Sequence, residues 1–258
     1  MKIQFLGTGT SQGVPVIACD CIVCKSTDYK DKRLRSSILI EVEGRHIIVD
    51  TGPDFRYQML RANIQHLDAI LMTHSHKDHI AGLDDVRAFN YKQNESISIY
   101  TNEPTLEALK REFYYAFSPL KYPGVPQLDL EEIHAGQPLF LFGHEIMPIE
   151  VMHYKMPVLG FRIGNFAYIT DAKSVTPESR QLLEGVDVLV VNALQEMPHI
   201  SHFTLDEALA FINDVGPKEA YLTHISHRFG TNDYIQSKLP SNVFVAYDQL
   251  TITVDSSY

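Results

Sequence analysis

The segment Thr73-His74-Ser75-His76-Lys77-Asp78-His79 places three imidazoles and a carboxylate within six consecutive residues, directly after the apolar run Leu67-Asp68-Ala69-Ile70-Leu71-Met72. Imidazole and carboxylate are the donors that hold Zn²⁺ and similar divalent ions, at roughly 2.0–2.2 Å. In an extended loop side chains alternate with period two, so His74 and His76 point the same way and can share one ion. Asp78 and His79, at the start of the following helical segment, are displaced enough to hold a second. Two ions about 3.5–4 Å apart form a clamp for hydrolysis. The plainer reading is a surface loop that happens to be rich in histidine.

A dinuclear site needs donors from elsewhere, and the chain supplies them where short β-rich runs stop. His153 follows Ile146–Met152, Asp171 follows Phe166–Thr170, and His224 follows Glu219–Thr223. Layered folds place functional groups at such strand ends. A carboxylate can bridge two cations, which gives Asp171 the bridging role, with His153 completing the first site and His224 the second. Taken singly, each of these residues also reads as a hydrogen-bonded structural group.

The order His74-x-His76-x-Asp78-His79, then His153, Asp171 and His224, resembles the metallo-β-lactamase superfamily. The resemblance runs over nearly the whole chain, from Phe5-Leu6-Gly7-Thr8-Gly9-Thr10 through Ile47-Ile48-Val49-Asp50-Thr51-Gly52. It implies an α/β fold, a four-layer αββα sandwich of mixed β-sheets with the site along one edge. It also implies that Asp50 orients ligand histidines from behind, a usual role for such carboxylates.

Cys19-Asp20-Cys21-Ile22-Val23-Cys24 contains every cysteine of the chain. An odd number so closely spaced is a poor disulfide framework. The thiols read as three ligands of a closed Cys₃His zinc site, with His227 the candidate fourth ligand. The other reading is three small apolar fillers. Such a site, its histidine three residues past His224, is similar to that of the branch of the superfamily that hydrolyses cyclic phosphates in the carbon–phosphorus lyase pathway. Gln12-Gly13-Val14-Pro15 resembles that branch too, whereas Tyr91–Phe140 matches only loosely.

Ser201-His202-Phe203-Thr204 resembles the Gly/Ser-His-x-Thr segment with which the phosphodiesterase branch brings a histidine to the scissile phosphate. Thr204 or Ser201 would cap the helix running through Leu205, Ala208, Leu209 and Ile212. This leaves His202 presented at the cap rather than buried, with His199 its competitor. An imidazole there can stabilise phosphate charge and protonate the leaving alkoxide.

The 258 residues are 45% hydrophobic and 21% charged, ordinary for a globular protein and consistent with a single domain over 1–258. No apolar run approaches the ~18 residues that a membrane span requires. Met1–Leu6 leads straight into a strand without the apolar stretch of a signal peptide, so a cytoplasmic location is expected. Lys and Arg number 22 against 32 Asp and Glu, and the net charge of −10 opposes attraction to polyanions.

Patterning places strands near Lys2–Leu6, Ser37–Glu43, His46–Asp50, Asp68–Met72, Ile97–Tyr100, Pro138–Phe142, Glu145–Met152, Asn242–Ala246 and Thr251–Val254. Helices are expected over Phe55–Asn63 and Glu103–Phe117, the second opened by Asn102 and Pro104. Ser118–Pro126, rich in proline and aromatic residues, is either a lid over the site or an ordinary surface connection.

The reading is thus a metal-dependent phosphodiesterase acting on a small cyclic phosphodiester by hydroxide held between two divalent ions. Zinc, manganese or iron would suit the site. Asp78 anchors an ion and orients the hydroxide, and His202 contacts the phosphate or leaving group. One alternative is a tRNA 3′-processing endonuclease, although the basic arm of that class is missing and Ser118–Pro126 offers only Lys121. Others are a carboxyl ester, lactone or thioester hydrolase, and a non-catalytic metalloprotein. Expected partners are the small substrate and, by resemblance, a second copy in a homodimer.

Overall fold

The structure is a computed structural model that describes residues 1–120 and 122–255. The first sheet begins with β1 Lys2–Gly7, β2 Ser37–Val42, β3 Arg45–Val49, β4 Ala69–Leu71, β5 Ile97–Thr101 and β6 Leu128–Glu132. The second contains β7 Leu139–Leu141, β8 His144–His153, β9 Met156–Ile163, β10 Phe166–Ile169, β11 Ser174–Val175, β12 Val188–Asn192, β13 Glu219–Thr223 and β14 Val243–Val245. The last strand, β15 Thr251–Thr253, returns to pair with β1. The first sheet runs β15-β1-β2-β3-β4-β5-β6 and the second β11-β8-β9-β10-β12-β13-β14, with β7 beside β8. Each sheet mixes antiparallel and parallel pairs, the parallel ones being β3–β4–β5–β6 and β10–β12–β13–β14.

Period-two alternation explains the layering. Phe5, Ile38, Ile40, Ile47 and Val49 meet Phe161, Tyr168 and Val190 in the core between the sheets. Their neighbours Leu6, Leu39 and Ile48 face the opposite way, against Phe55, Met59, Leu83 and Phe89 of the helical layer. On the far side Ile169, Leu189, Val191 and Leu222 pack on Ala208, Phe211 and Ile212 of the helix Leu205–Val215. Both sheets are therefore apolar on both faces, as the four-layer αββα sandwich requires. Each fully buried Ile or Phe side chain is worth about 1.5–3 kcal/mol.

The expected helix Glu103–Phe117 is two helices, Glu103–Glu112 and Tyr114–Phe117. Phe113, with φ −112° and ψ 36°, leaves helical geometry so that its ring can enter the core beside Leu109 and Ala116. The other early helix, Phe55–Ala62, stops where Asn63 turns left-handed at φ 53°. Of Ser118–Pro126, Lys121 lies outside the described residues, and its neighbours Leu120 and Tyr122 are exposed. No helix of the described residues is long and apolar enough to cross a membrane.

Candidate metal centre

The histidine-rich loop begins where β4 stops, and its first residue sets the geometry of the rest. Thr73 is fully buried, and both its backbone N–H and its Oγ1 donate to the Asp50 carboxylate at 2.8 Å. Its carbonyl accepts from Leu159 N–H at 3.0 Å, tying the loop to the second sheet. His76 then caps the short helix Lys77–Ile80, which carries Asp78 and His79. This helix stacks on the end of β3 through Thr51 N–H to His79 O, 2.8 Å, and Gly82 N–H to Thr51 O, 2.9 Å. So close an approach requires glycine: a Cβ on Gly52 would lie 2.1 Å from Asp78 O.

The remaining residues arrive from the other sheet. His153 ends β8, while Asp171 and His224 follow β10 and β13. Asp50, Asp171 and His224 all adopt left-handed backbone, with φ 64°, 56° and 55°. For residues other than glycine this costs about 1–3 kcal/mol each, strain of the kind that clusters at functional sites.

The side chains form one continuous cluster. The His74 ring centroid lies 4.7 Å from that of His76 and 4.2 Å from that of His79, and His76 lies 5.1 Å from His153. Donor atoms of Asp78, His79, Asp171 and His224 lie within 4.8 Å of one another, as do those of His153, Asp171 and His202. Asp171 belongs to both groups. Its Oδ2 is 3.3 Å from His79 Nε2 and 3.3 Å from His224 Nδ1, and it accepts from Thr170 Oγ1 at 2.7 Å.

Hydrogen bonding fixes which ring nitrogens face inward. Thr73 Oγ1 gives its proton to Asp50, so at its 3.0 Å contact His74 Nδ1 is the donor. His79 Nδ1 donates to Asp50 Oδ2 at 2.6 Å. His153 Nδ1 donates to Asp171 O and Ser201 O at 3.0 and 2.8 Å. In each case Nε2 is the nitrogen turned toward the cluster. His224 is reversed: Nε2 meets Thr10 Oγ1 at 3.3 Å and Nδ1 faces Asp171.

Four buried ring nitrogens, His74 Nε2, His79 Nε2, His202 Nδ1 and His224 Nδ1, have no hydrogen-bond partner among the described residues. Buried polar atoms are almost always satisfied, and convergent unsatisfied nitrogens beside carboxylates fit divalent cations. Burial pushes His74 well below the ordinary histidine value and lowers His224 and His76, which favours the neutral form that binds metal. For His79 burial acts downward too, but Asp171, Asp50 and Asp78 carry it well above that value. Burial alone would raise the Asp78 carboxyl; His79 and His224 hold it below the usual range.

His202 differs from the exposed, cap-presented residue that the sequence reading expects. Its residue exposure is only 8%, and Thr204 alone caps the helix, in a capping box with Glu207. Phe203 N–H donates to Ala172 O at 2.8 Å, drawing the loop inward beside Asp171. The His202 ring centroid thus lies 4.5 Å from that of His153 and 4.8 Å from that of His224. Burial, then the nearby His224, push it down to about 3. His199 stands outside these groups, its ring 5.1 Å from His202. Thr10 and Thr73 are contributors the sequence reading missed, although Thr10 closes the Gly7-Thr8-Gly9-Thr10 turn noted there.

A separate cluster gathers the cysteines. The Sγ atoms of Cys19, Cys21 and Cys24 lie 3.2, 3.5 and 3.6 Å from His227 Nδ1. Cys24 N–H donates to Cys21 Sγ at 3.4 Å and, as the largest influence, brings that thiol down to about 6. Burial raises Cys24 to about 11. Three thiols and one imidazole in mutual reach fit a tetrahedral zinc site.

A sequence model of the beta-lactamase superfamily domain matches residues 45–225. The chain belongs to this superfamily, and its histidine–carboxylate cluster fits a divalent-metal centre. It is similar to a diphosphatase from the PhnP family, 37% identical with a TM-score of 0.92, each chain covered to 98%. A Porphyromonas gingivalis protein named octanoyltransferase is 37% identical over 99% of this chain; the chain spans 52% of that protein's length. Zinc-bound PqqB from Methylobacterium extorquens shares the fold at 18% identity, with a TM-score of 0.81 over 98% of this chain and 100% of its own.

Proposed function

We propose that residues 1–258 form one hydrolase domain, a metal-dependent phosphodiesterase acting on a small cyclic phosphodiester. His74, His76, His153 and Asp171 would hold one divalent ion, and Asp78, His79, Asp171 and His224 the other, as zinc, manganese or iron. Cys19, Cys21, Cys24 and His227 would hold a structural zinc. The observation that carries this reading is the similarity, over 98% of both chains, to a diphosphatase from the PhnP family, which supports reaction at phosphorus over the other reactions of the fold.

Divalent ions held by these residues would supply a water nucleophile at neutral pH and would neutralise phosphoryl oxygens. The chain's own groups do the rest. Asp50 holds His79 by its Nδ1 proton, 2.6 Å away, and Thr73 sets the His74 tautomer. Asp78, kept ionised, orients the nucleophile by accepting a hydrogen bond. His202, neutral at physiological pH, donates one ring N–H to a phosphoryl or leaving oxygen. The net charge of −10 disfavours long polyanions as substrates and is compatible with a small diester drawn in by the ions.

The name of the Porphyromonas gingivalis relative favours a second reading, acyl chemistry. This chain matches only half of that protein, and its three cysteines all fall in the His227 group, none in the groups that contain His153 or His224. Turnover of bis-p-nitrophenyl phosphate and p-nitrophenyl octanoate by the metal-replete protein separates the two. Phosphodiester cleavage at least tenfold faster is expected, and the reverse order would establish the acyl reading.

A further inference from the structure

The histidine centre opens into a cavity of about 600 Å³ whose walls include His76, His153, Tyr154, Lys155, Pro157 and Ile200. Beyond the histidines these walls are largely apolar, and they come from two segments far apart in sequence. Tyr154 and Lys155 form the turn that joins β8 to β9, closed by the His153–Met156 pair. Ile200 belongs to the loop that delivers His202. Both walls are therefore fastened to the site, Tyr154 next to His153 and Ile200 two residues before His202.

Both wall residues are exposed beside the histidines, Tyr154 to 53% and Ile200 to 66%. Tyr154 moreover holds φ at +56°. A turn needing left-handed backbone is served at lower cost by Gly or Asn, and a bulky residue there is a conformational outlier. Its side chain, not its backbone, is what this position presents. Lys155, the one cation among the residues lining the cavity, sets its Nζ 5.4 Å from the Tyr154 ring centroid.

Resting on the phosphodiesterase reading, we propose that this mouth is a ring-binding subsite. Tyr154 and Ile200 hold a flat nucleobase-like or aryl group of the substrate between them, and Lys155 meets its acceptor atoms. The preferred substrate is then a ring-bearing phosphodiester rather than a bare sugar or polyol cyclic phosphate.

The test compares kcat/KM for adenosine 2′,3′-cyclic phosphate and for the base-less methyl riboside 2,3-cyclic phosphate, using metal-replete protein. Base–aromatic stacking predicts a preference for the nucleotide of about tenfold or more, expressed mainly in KM. The double variant Tyr154→Ala/Ile200→Ala should bring the ratio of the two values close to unity, and Tyr154→Phe should preserve it. Metal content equal to wild type verifies that the variants are folded. Equal wild-type use of both substrates, or a ratio unmoved in the double variant, would overturn the subsite and leave the phosphodiesterase reading intact. Failure of the wild type to cleave either substrate would overturn both.

Discussion

The Asp50 carboxylate and the His79 imidazole meet at 2.6 Å, both fully buried, and the same carboxylate takes two hydrogen bonds from Thr73. One acidic group thus fixes the last histidine of the cluster and the backbone before the first. Asp50→Asn keeps the size but removes the charge that polarises His79. Losing such a supporting partner costs about 10–100-fold in metal affinity. Chelator-competition titration should show that loss with the circular dichroism spectrum unchanged.

Metal uptake should release a proton from His79. Its pKa lies well above the ordinary 6.5, so in the metal-free protein it stays protonated through neutral pH, while burial keeps His74 and His224 neutral there. The ion competes with that proton, and affinity climbs about tenfold per pH unit until the pH passes the raised value. Chelator competition at about pH 6 and about pH 8 reads this slope. The sign for folding is opposite: the His79 contribution to metal-free stability is full below its unfolded value and fades as pH rises through the folded one.

Gly52→Ala places a Cβ 2.1 Å from Asp78 O, and Gly82→Ala places one 2.1 Å from Gly52 O. Both oxygens are backbone and cannot swing aside. Each substitution should cost about 1–3 kcal/mol through overpacking and shift the helix that carries Asp78 and His79. Thermal unfolding should show a lowered Tm, together with reduced metal content.

The Cys24→Ser and His227→Ala variants should each lose the zinc proposed for the cysteine group, with the metal content proposed for the histidine centre unchanged. Removing one ligand leaves the other three around a site that metal binding otherwise stabilises strongly. Metal analysis per chain and Tm should fall together in both variants. An unchanged zinc count would mean that the cysteines pack as free thiols.

What was legible in the sequence and what was not divide along physical lines. The apolar runs around Phe5–Leu6 and Ile47–Ile48 announced strands, and His74-x-His76-x-Asp78-His79 announced itself because neighbouring residues carry it. Burial of His202 was not legible, since it depends on the Phe203–Ala172 hydrogen bond between distant segments. Nor did the letters reveal left-handed Asp50, Asp171 and His224, because Asp and His adopt positive φ at only a minority of positions. The break at Phe113 was hidden for a related reason: core packing overrode a continuous helical pattern.

Hydrolysis of a 2′,3′-cyclic nucleotide, followed by phosphorus NMR, tests the proposed phosphodiesterase activity. Wild type and His202→Ala would be compared, each metal-replete and after chelation. Conversion to the monoester is expected for the metal-replete wild type, abolished by chelation and restored by added divalent ion. In His202→Ala a kcat about 10²–10⁴-fold lower is expected at unchanged metal content. A metal-loaded wild type that leaves the cyclic phosphate intact, or a His202→Ala protein as active as wild type, would contradict the proposal.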